Sequence, residues 1–154
     1  MAKISRGKPR RGAVAVIVEN GSFLVIRRSQ FVRAPDLLCF AGGTIERGET
    51  PQQAIERELV EELNLHGKAT DHIWQSITAW GTKLEWVLVD RHPNSQPVAN
   101  LSEVAEWMWL DPPALLNHPK LLPSVPAFFN AWARQQFKLP ERAGQPDPNW
   151  LTFP

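Results

Sequence analysis

Glu58, Glu61 and Glu62 lie three and four residues apart in a segment that reads as a helix, so their carboxylates share one helical face. Local stability does not favour this arrangement. Like charges at that spacing cost roughly 0.2–0.5 kcal/mol each. Glu61 and Glu62 also sit in the last turn, where the helix dipole disfavours anions by about 0.3–1 kcal/mol. A solvated acidic face is the usual account of a charge run, but this one is built against local rules, and such violations tend to mark function. A divalent cation removes the conflict, because carboxylate oxygens suit hard ions such as Mg²⁺, whose sites substrate phosphates usually complete. Arg57, one turn before Glu61, can pair with Glu61 or with Glu49 and hold a carboxylate in place. Gly42 and Gly43 precede the helix and let backbone approach a phosphate or a metal closely.

The elements around these residues must position them. Residues 51–64 form the predicted helix: Thr50 is a good N-cap, Pro51 suits the first position and Gln53 completes a capping box. Ile55, Leu59 and Leu63 recur every four residues as the core-facing stripe. Before the helix, residues 12–19 read as a buried strand, Asn20-Gly21 as a hairpin turn and Ser22 to Arg28 as the return strand. Residues 29–37 read as a loop and 37–40 as a short strand. After the helix, 71–80 and 83–92 read as a second hairpin around Gly81-Thr82, and 93–100 as a polar loop. Residues 103–110 read as extended, Asp111 opens a short helix, and 124–137 form a longer one. This order predicts an α/β or α+β domain with helices covering a mixed sheet.

The segment from Gly42 to Leu65, GGTIERGETPQQAIERELVEELNL, resembles the Nudix box, GX5EX7REUXEEXGU with U bulky and aliphatic. Gly43, Glu49, Arg57, Glu58, Leu59, Glu61, Glu62 and Leu65 fall in register. Asn64 stands where the pattern has glycine, and Asn is the next-best residue for the left-handed conformation that ends a helix. Six fixed charged or glycine positions would match by chance about once in 10⁷ starts. The strand order also resembles the family, over roughly residues 12–137.

The resemblance implies an α/β/α sandwich with a mixed β-sheet, one box helix and C-terminal helices. It implies that Glu58, Glu61 and Glu62, with a backbone carbonyl at Gly42 or Gly43, bind Mg²⁺ or Mn²⁺. Arg57 belongs to the same machinery. A metal-activated water then cuts a phosphoanhydride bond of a nucleoside diphosphate linked to another moiety. Glu58 is placed to help deprotonate that water, though the family varies in which glutamate is the base. A further acid often completes such a site: AEWMWL resembles the family's acid-plus-tryptophan strand, which favours Glu106 over Glu103. On an extended segment those two point to opposite faces.

Substrate contacts are less determined. Arg27 and Arg28 end the second strand, and one of them can bind a substrate phosphate while the other faces solvent. Among seven tryptophans, Trp80 and Trp86 flank a hairpin turn and are the first candidates for stacking on a base, although core packing is the commoner use. The histidines 66, 72, 92 and 118 show no metal or catalytic spacing and read as structural or exposed. A nucleoside triphosphate, an ADP-ribose-like molecule, a nucleotide sugar and a dinucleoside polyphosphate all share the diphosphate that the box binds. FLVIRR and EWMWL resemble the MutT branch and lean towards triphosphates. The alternative is a non-catalytic nucleotide-binding or sensor module on the same fold, which should have lost box acids that this chain keeps.

The remaining features set bounds. A length of 154 residues with 43% hydrophobic and 21% charged side chains predicts one globular domain. It divides into a basic, mobile stretch at 1–11, a Nudix-like domain at 12–137 and a Pro-rich tail at 138–154. The basic stretch has a sharper reading as an arm towards substrate phosphates. A net charge of +1 gives no reason to expect a nucleic-acid polymer or a membrane as partner. The single cysteine, Cys39, excludes an intrachain disulfide, and no apolar run reaches the length of a membrane span. A cytoplasmic protein acting on a small nucleotide is expected, with a homodimer left open. The tail, with Trp150 and Phe153, docks on its own domain or on a second subunit.

Overall fold

A computed structural model describes residues 10–151. The expectations for the stretch before Arg10 and for Phe153 therefore lie outside the described residues. Among the described residues are two four-stranded sheets and three α-helices, and the order of elements follows the expectation closely. Strand β1 (Arg11–Val16) is central in the first sheet, with β5 (Gly42–Thr44) antiparallel on one side and β7 (Lys83–Arg91) parallel on the other. Strand β6 (Gly67–Ile77) completes that mixed sheet as a hairpin partner of β7. In the second sheet, β3 (Ser22–Arg28) pairs with β2 (Val18–Glu19), β4 (Leu38–Cys39) and β8 (Val104–Leu110), all antiparallel. The single strand expected over 12–19 is broken at Ile17, where the chain passes from one sheet to the other.

Helix α1 (Pro51–Leu63) forms where its local signals place it. Thr50 and Gln53 make the reciprocal capping box, and Asn64 ends the helix in the left-handed conformation (φ 44°, ψ 36°). Ile55, Leu59 and Leu63 are buried, each contributing roughly 1.5–3 kcal/mol by the area it hides. Their neighbour Glu62 is drawn under with them. Two shorter helices follow, α2 (Pro112–Leu116) and α3 (Ser124–Ala133). The core between the sheets and α3 is aromatic. Phe128 stacks on Trp86 at 4.9 Å between centroids and meets Phe23 and Phe40 edge-on.

Two further element ranges differ from expectation. Strand β6 covers Gly67–Ile77, not 71–80, and helix α3 stops at Ala133, not 137. The Pro-rich tail carries two 3₁₀ turns, at Glu141–Ala143 and Pro148–Leu151, that pack it onto its own domain. Trp150 lies against Phe129 and Trp132, and Asn130 Nδ2 donates to its carbonyl. Arg142 donates to Val18 O and to Asp90, fastening the tail to both sheets. Among the described residues no helix is long and apolar enough to cross a membrane.

Candidate active site

The acids are brought to the sheet by two glycines. In β5, Gly42 and Gly43 pair with Val14 and Ala13 of β1. A Cβ on Gly42 would lie 2.1 Å from Ala13 O, which backbone cannot yield. A Cβ on Gly43 would lie 2.3 Å from the Glu58 carboxyl carbon. The missing side chain at Gly43 is thus the space that the Glu58 carboxylate fills. One turn on, Glu62 is 7% exposed and its Oε1 accepts from the Gly42 N–H at 3.0 Å.

Arg57 organises the outer half of the acid face. Its Nε and Nη2 fork onto Glu49 at 2.8 and 2.9 Å, Nη1 reaches Glu58 at 3.0 Å and Glu61 at 3.3 Å, and Nη2 also donates to Thr44 O at 2.9 Å. Both partners expected for Arg57 are therefore real, and Glu58 is a third. Glu49, held by Arg57 and by the Glu46 N–H, has its pKa lowered to about 2. Arg57 acts on carboxylates and on a backbone carbonyl, so its place is that of a positioning residue.

In the inner half Arg57 reaches Glu58 alone, and Glu62 has no ion pair among the described residues. Burial raises the pKa of Glu62 to about 8, and the negative charges of Glu58 and Glu103 add to the rise, against the Gly42 N–H and the charge of Arg28. Burial likewise raises Glu58, opposed by Arg57 and reinforced by Glu61 and Glu103. Glu103, rather than Glu106, is the acid whose charge bears on Glu58 and Glu62. Glu106 sits opposite Arg27 across the β3–β8 ladder and pairs with it at 3.1 Å, half exposed. The alternation argument required both acids to lie in the strand, but β8 begins at Val104 and leaves Glu103 in the preceding turn.

Strand alternation does separate the two arginines. Arg27 is held by Glu106 and Asp36. Arg28 lies on the other face, beside Cys39 and within electrostatic reach of Glu62, and its Nε donates to Arg33 O at 2.7 Å. The tryptophan candidates separate too. Trp86 is fully buried with its indole N–H on Ser76, so it is core. Trp80 is 70% exposed at the rim of a cavity of about 310 Å³, lined by Ile77, Leu84, Leu122, Pro123 and Ala127 among others.

The donor set fits a hard divalent cation. Three carboxylates influence one another in a glycine-lined recess, and two of them carry raised pKa values because burial and their mutual repulsion outweigh Arg57 at Glu58 and Arg28 at Glu62. Among the described residues no three acids, histidines or cysteines already stand at ion-holding spacing. Glu62 is turned to the Gly42 N–H and Glu61 to Arg57. Residue Asn100 escaped the sequence reading entirely, since a polar loop residue between two motifs carries no pattern; its bonds join the box helix to the turn bearing Glu103.

Comparison with known proteins agrees with this geometry. The family model described as NUDIX domain matches residues 9–132. The 8-oxo-dGTP diphosphatase of Escherichia coli K12 is 35% identical over 92 residues, which are 60% of this chain and 57% of that protein. The RNA pyrophosphohydrolase of Acinetobacter baylyi is 36% identical over 95 residues, 60% of this chain and 54% of that protein. The match thus spans little more than half the length of either relative. In fold, the chain is similar to the crystal structure of the MutT protein from Methanosarcina mazei, with a TM-score of 0.69, 22% identity and coverage of 87% of this chain and 100% of that one.

Proposed function

The chain belongs to the NUDIX domain family, and on that premise we propose that it is a divalent-cation-dependent pyrophosphohydrolase of nucleoside diphosphate derivatives. One observation carries the reading: Glu58 and Glu62 are packed against Gly43 and Gly42 with Glu103 in range, and the cation that meets Glu58, Arg57, is shared with Glu49 and Glu61, while Glu62 has no ion pair among the described residues. In this reading Glu58, Glu62 and Glu103, with Glu61 and the carbonyl of Gly42 or Gly43, hold Mg²⁺ or Mn²⁺. When bound, such an ion neutralises phosphate oxygens and makes water acidic enough to attack near neutral pH.

The protein's own groups do the rest. Arg57 keeps Glu58 and Glu61 aimed by holding their oxygens while Glu49 holds its guanidinium. The acid face accepts the proton of the attacking water. Arg28, on the same side as Glu62, meets a substrate phosphate, which guanidinium geometry suits. Trp80, exposed at its cavity, gives a base a face to stack on. Arg27, engaged by two acids, has no phosphate role here. The relatives named above support nucleoside 5′-triphosphates, free or at an RNA end, as the first substrates to examine.

The test is a panel of normal and oxidised nucleoside triphosphates, 5′-triphosphorylated RNA, ADP-ribose, a nucleotide sugar and a dinucleoside polyphosphate. Each is incubated with and without Mg²⁺, using wild type and Glu58→Gln. Metal-dependent release of phosphate or pyrophosphate together with a 5′-monophosphate product, by wild type alone, is the expected result. Equal binding without turnover by both proteins would replace the enzyme with a nucleotide-binding module.

A further inference from the structure

Every carbonyl in the last turn of α1 finds a partner, and the partners tie the helix to a distant loop. Leu59 O and Val60 O are capped locally by the N–H groups of Leu65 and Asn64. The next three are capped from residues 98–100: Glu61 O by Asn100 Nδ2 at 3.2 Å, Glu62 O by the Asn100 N–H at 2.8 Å, and Leu63 O by the Val98 N–H at 2.7 Å. Asn100 therefore grips two of the three helix residues that carry box acids, Glu61 and Glu62.

The same residue also builds the turn that carries Glu103. Its carbonyl accepts the N–H of Glu103 at 2.9 Å and of Val104 at 2.8 Å. Its side-chain Oδ1 accepts from Ser102, at 3.3 Å from the N–H and 2.8 Å from the hydroxyl. All four polar groups of Asn100 are thus committed, two to the helix and two to the turn. This bracket links the backbones of Glu62 and Glu103 through one residue, and their charges influence each other.

We infer that Asn100 is a positioning residue: it sets the distance between the box-helix carboxylates and the Glu103 carboxylate, and so tunes affinity for the divalent cation. The inference rests on reading these acids as a cation site. The physical requirement is general. A hard cation with short, nearly fixed bond lengths gains little from carboxylates whose supports move independently, and groups that orient ligands typically affect affinity by about 10–100-fold when removed. Asn100 is exposed and its backbone bonds survive truncation, so replacing the side chain leaves the core intact.

The test titrates Mn²⁺ into metal-free protein, by electron paramagnetic resonance and calorimetry, with no substrate present. Asn100→Ala is expected to weaken Mn²⁺ about tenfold. Ser102→Ala, which removes one of the bonds orienting the amide, should weaken it by a smaller factor. Ser95→Ala is the control, because its hydroxyl serves the His66 N–H in the same loop but not the bracket. In addition, the metal-induced rise in melting temperature should shrink in Asn100→Ala, and excess Mg²⁺ should restore turnover, which a general folding defect would not allow. Unchanged Mn²⁺ affinity in Asn100→Ala, or an equal loss in Ser95→Ala, overturns the inference while leaving the metal site standing. Absence of Mn²⁺ binding by wild type removes both.

Discussion

Two carboxylates are buried among the described residues, and their surroundings are opposite. Glu85, in the middle of β7, is 3% exposed; Glu62, near the end of α1, is 7% exposed. Glu85 is surrounded by donors: Gln75 Nε2 at 2.6 Å, His72 Nε2 at 2.5 Å and Arg11 Nη2 at 3.5 Å. Glu62 receives one backbone N–H and faces the charges of Glu58 and Glu103. A buried charge is tolerated when it is paired and bonded. Glu85 meets that condition within the chain and is a structural group. Glu62 meets it only if a cation arrives. Burial alone therefore does not mark a functional acid; the donors around it do.

The largest expected effect separates the two by activity. Glu62→Gln should lower kcat/KM about 10²–10⁴-fold, the loss expected when several kcal/mol of transition-state charge stabilisation disappears. The same change should not harm the metal-free fold. Burial raises the Glu62 pKa to about 8, so the folded protein binds a proton that the unfolded chain releases near 4.5. Its favourable contribution is complete below about 4.5 and is lost as pH rises through about 8. Wild type in EDTA should thus lose melting temperature between those values, Glu62→Gln should show a flatter profile, and Mg²⁺ should remove the wild-type slope. A wild-type melting temperature that climbs over that range in EDTA would break the contrast.

Glu85 predicts the reverse pattern. Glu85→Ala removes the bonds of a buried carboxylate to Gln75 and His72, which are themselves exposed, and should cost about 1.5–3 kcal/mol at every metal concentration. That corresponds to roughly 3–12 °C at about 2–4 °C per kcal/mol. Mn²⁺ affinity, measured on the folded variant, should not change. Loss of metal binding in Glu85→Ala would put both carboxylates in one system and erase the distinction drawn above.

How legible each region was follows from how local its causes are. Helix α1 could be read to within a residue, because Thr50, Pro51, Gln53 and Asn64 act on their immediate neighbours and Ile55, Leu59 and Leu63 form a periodic stripe. The Arg57 pairings were readable for the same reason. Strand β5 was not, since Gly-Gly-Thr has little intrinsic preference for a strand and exists only by pairing with β1. The break at Ile17 was equally hidden, because it is a choice between two sheets. Glu106 was preferred to Glu103 on the resemblance of AEWMWL, a pattern that says nothing of the turn before β8 from which Glu103 bears on Glu62, and Trp86 resembled Trp80 until the packing of Phe128 separated them.

A smaller effect tests the outer half of the acid face. Arg57→Lys keeps the charge but cannot fork onto Glu49 while also reaching Glu58, Glu61 and Thr44 O. Activity at saturating Mg²⁺ should fall about tenfold, as for other groups that orient ligands. The Glu49 carboxyl, no longer held near 2, should titrate closer to its ordinary 4.5. Carboxyl NMR shifts followed against pH would show this directly. An unchanged Glu49 titration would mean that the backbone N–H of Glu46, not the fork, depresses it.

The smallest effect belongs to Trp80, at the opposite extreme from Trp86. Trp80 lies in the β6–β7 turn and Trp86 in β7, yet Trp86 is fully buried under Phe128 and Trp80 is 70% exposed. An indole that exposed contributes little to folding, so Trp80→Ala should melt within a degree or two of wild type. Stacking on a base is worth about 1–3 kcal/mol. If Trp80 supplies such a face, KM for a nucleotide should rise roughly 5–100-fold, by that energy, with kcat nearly unchanged. The loss should be similar for different bases, because every base offers a π-face, and absent for inorganic tripolyphosphate. Equal KM values for wild type and variant on every nucleotide would move the base elsewhere, while a fall in kcat would mean that the indole acts on the reacting groups rather than on binding.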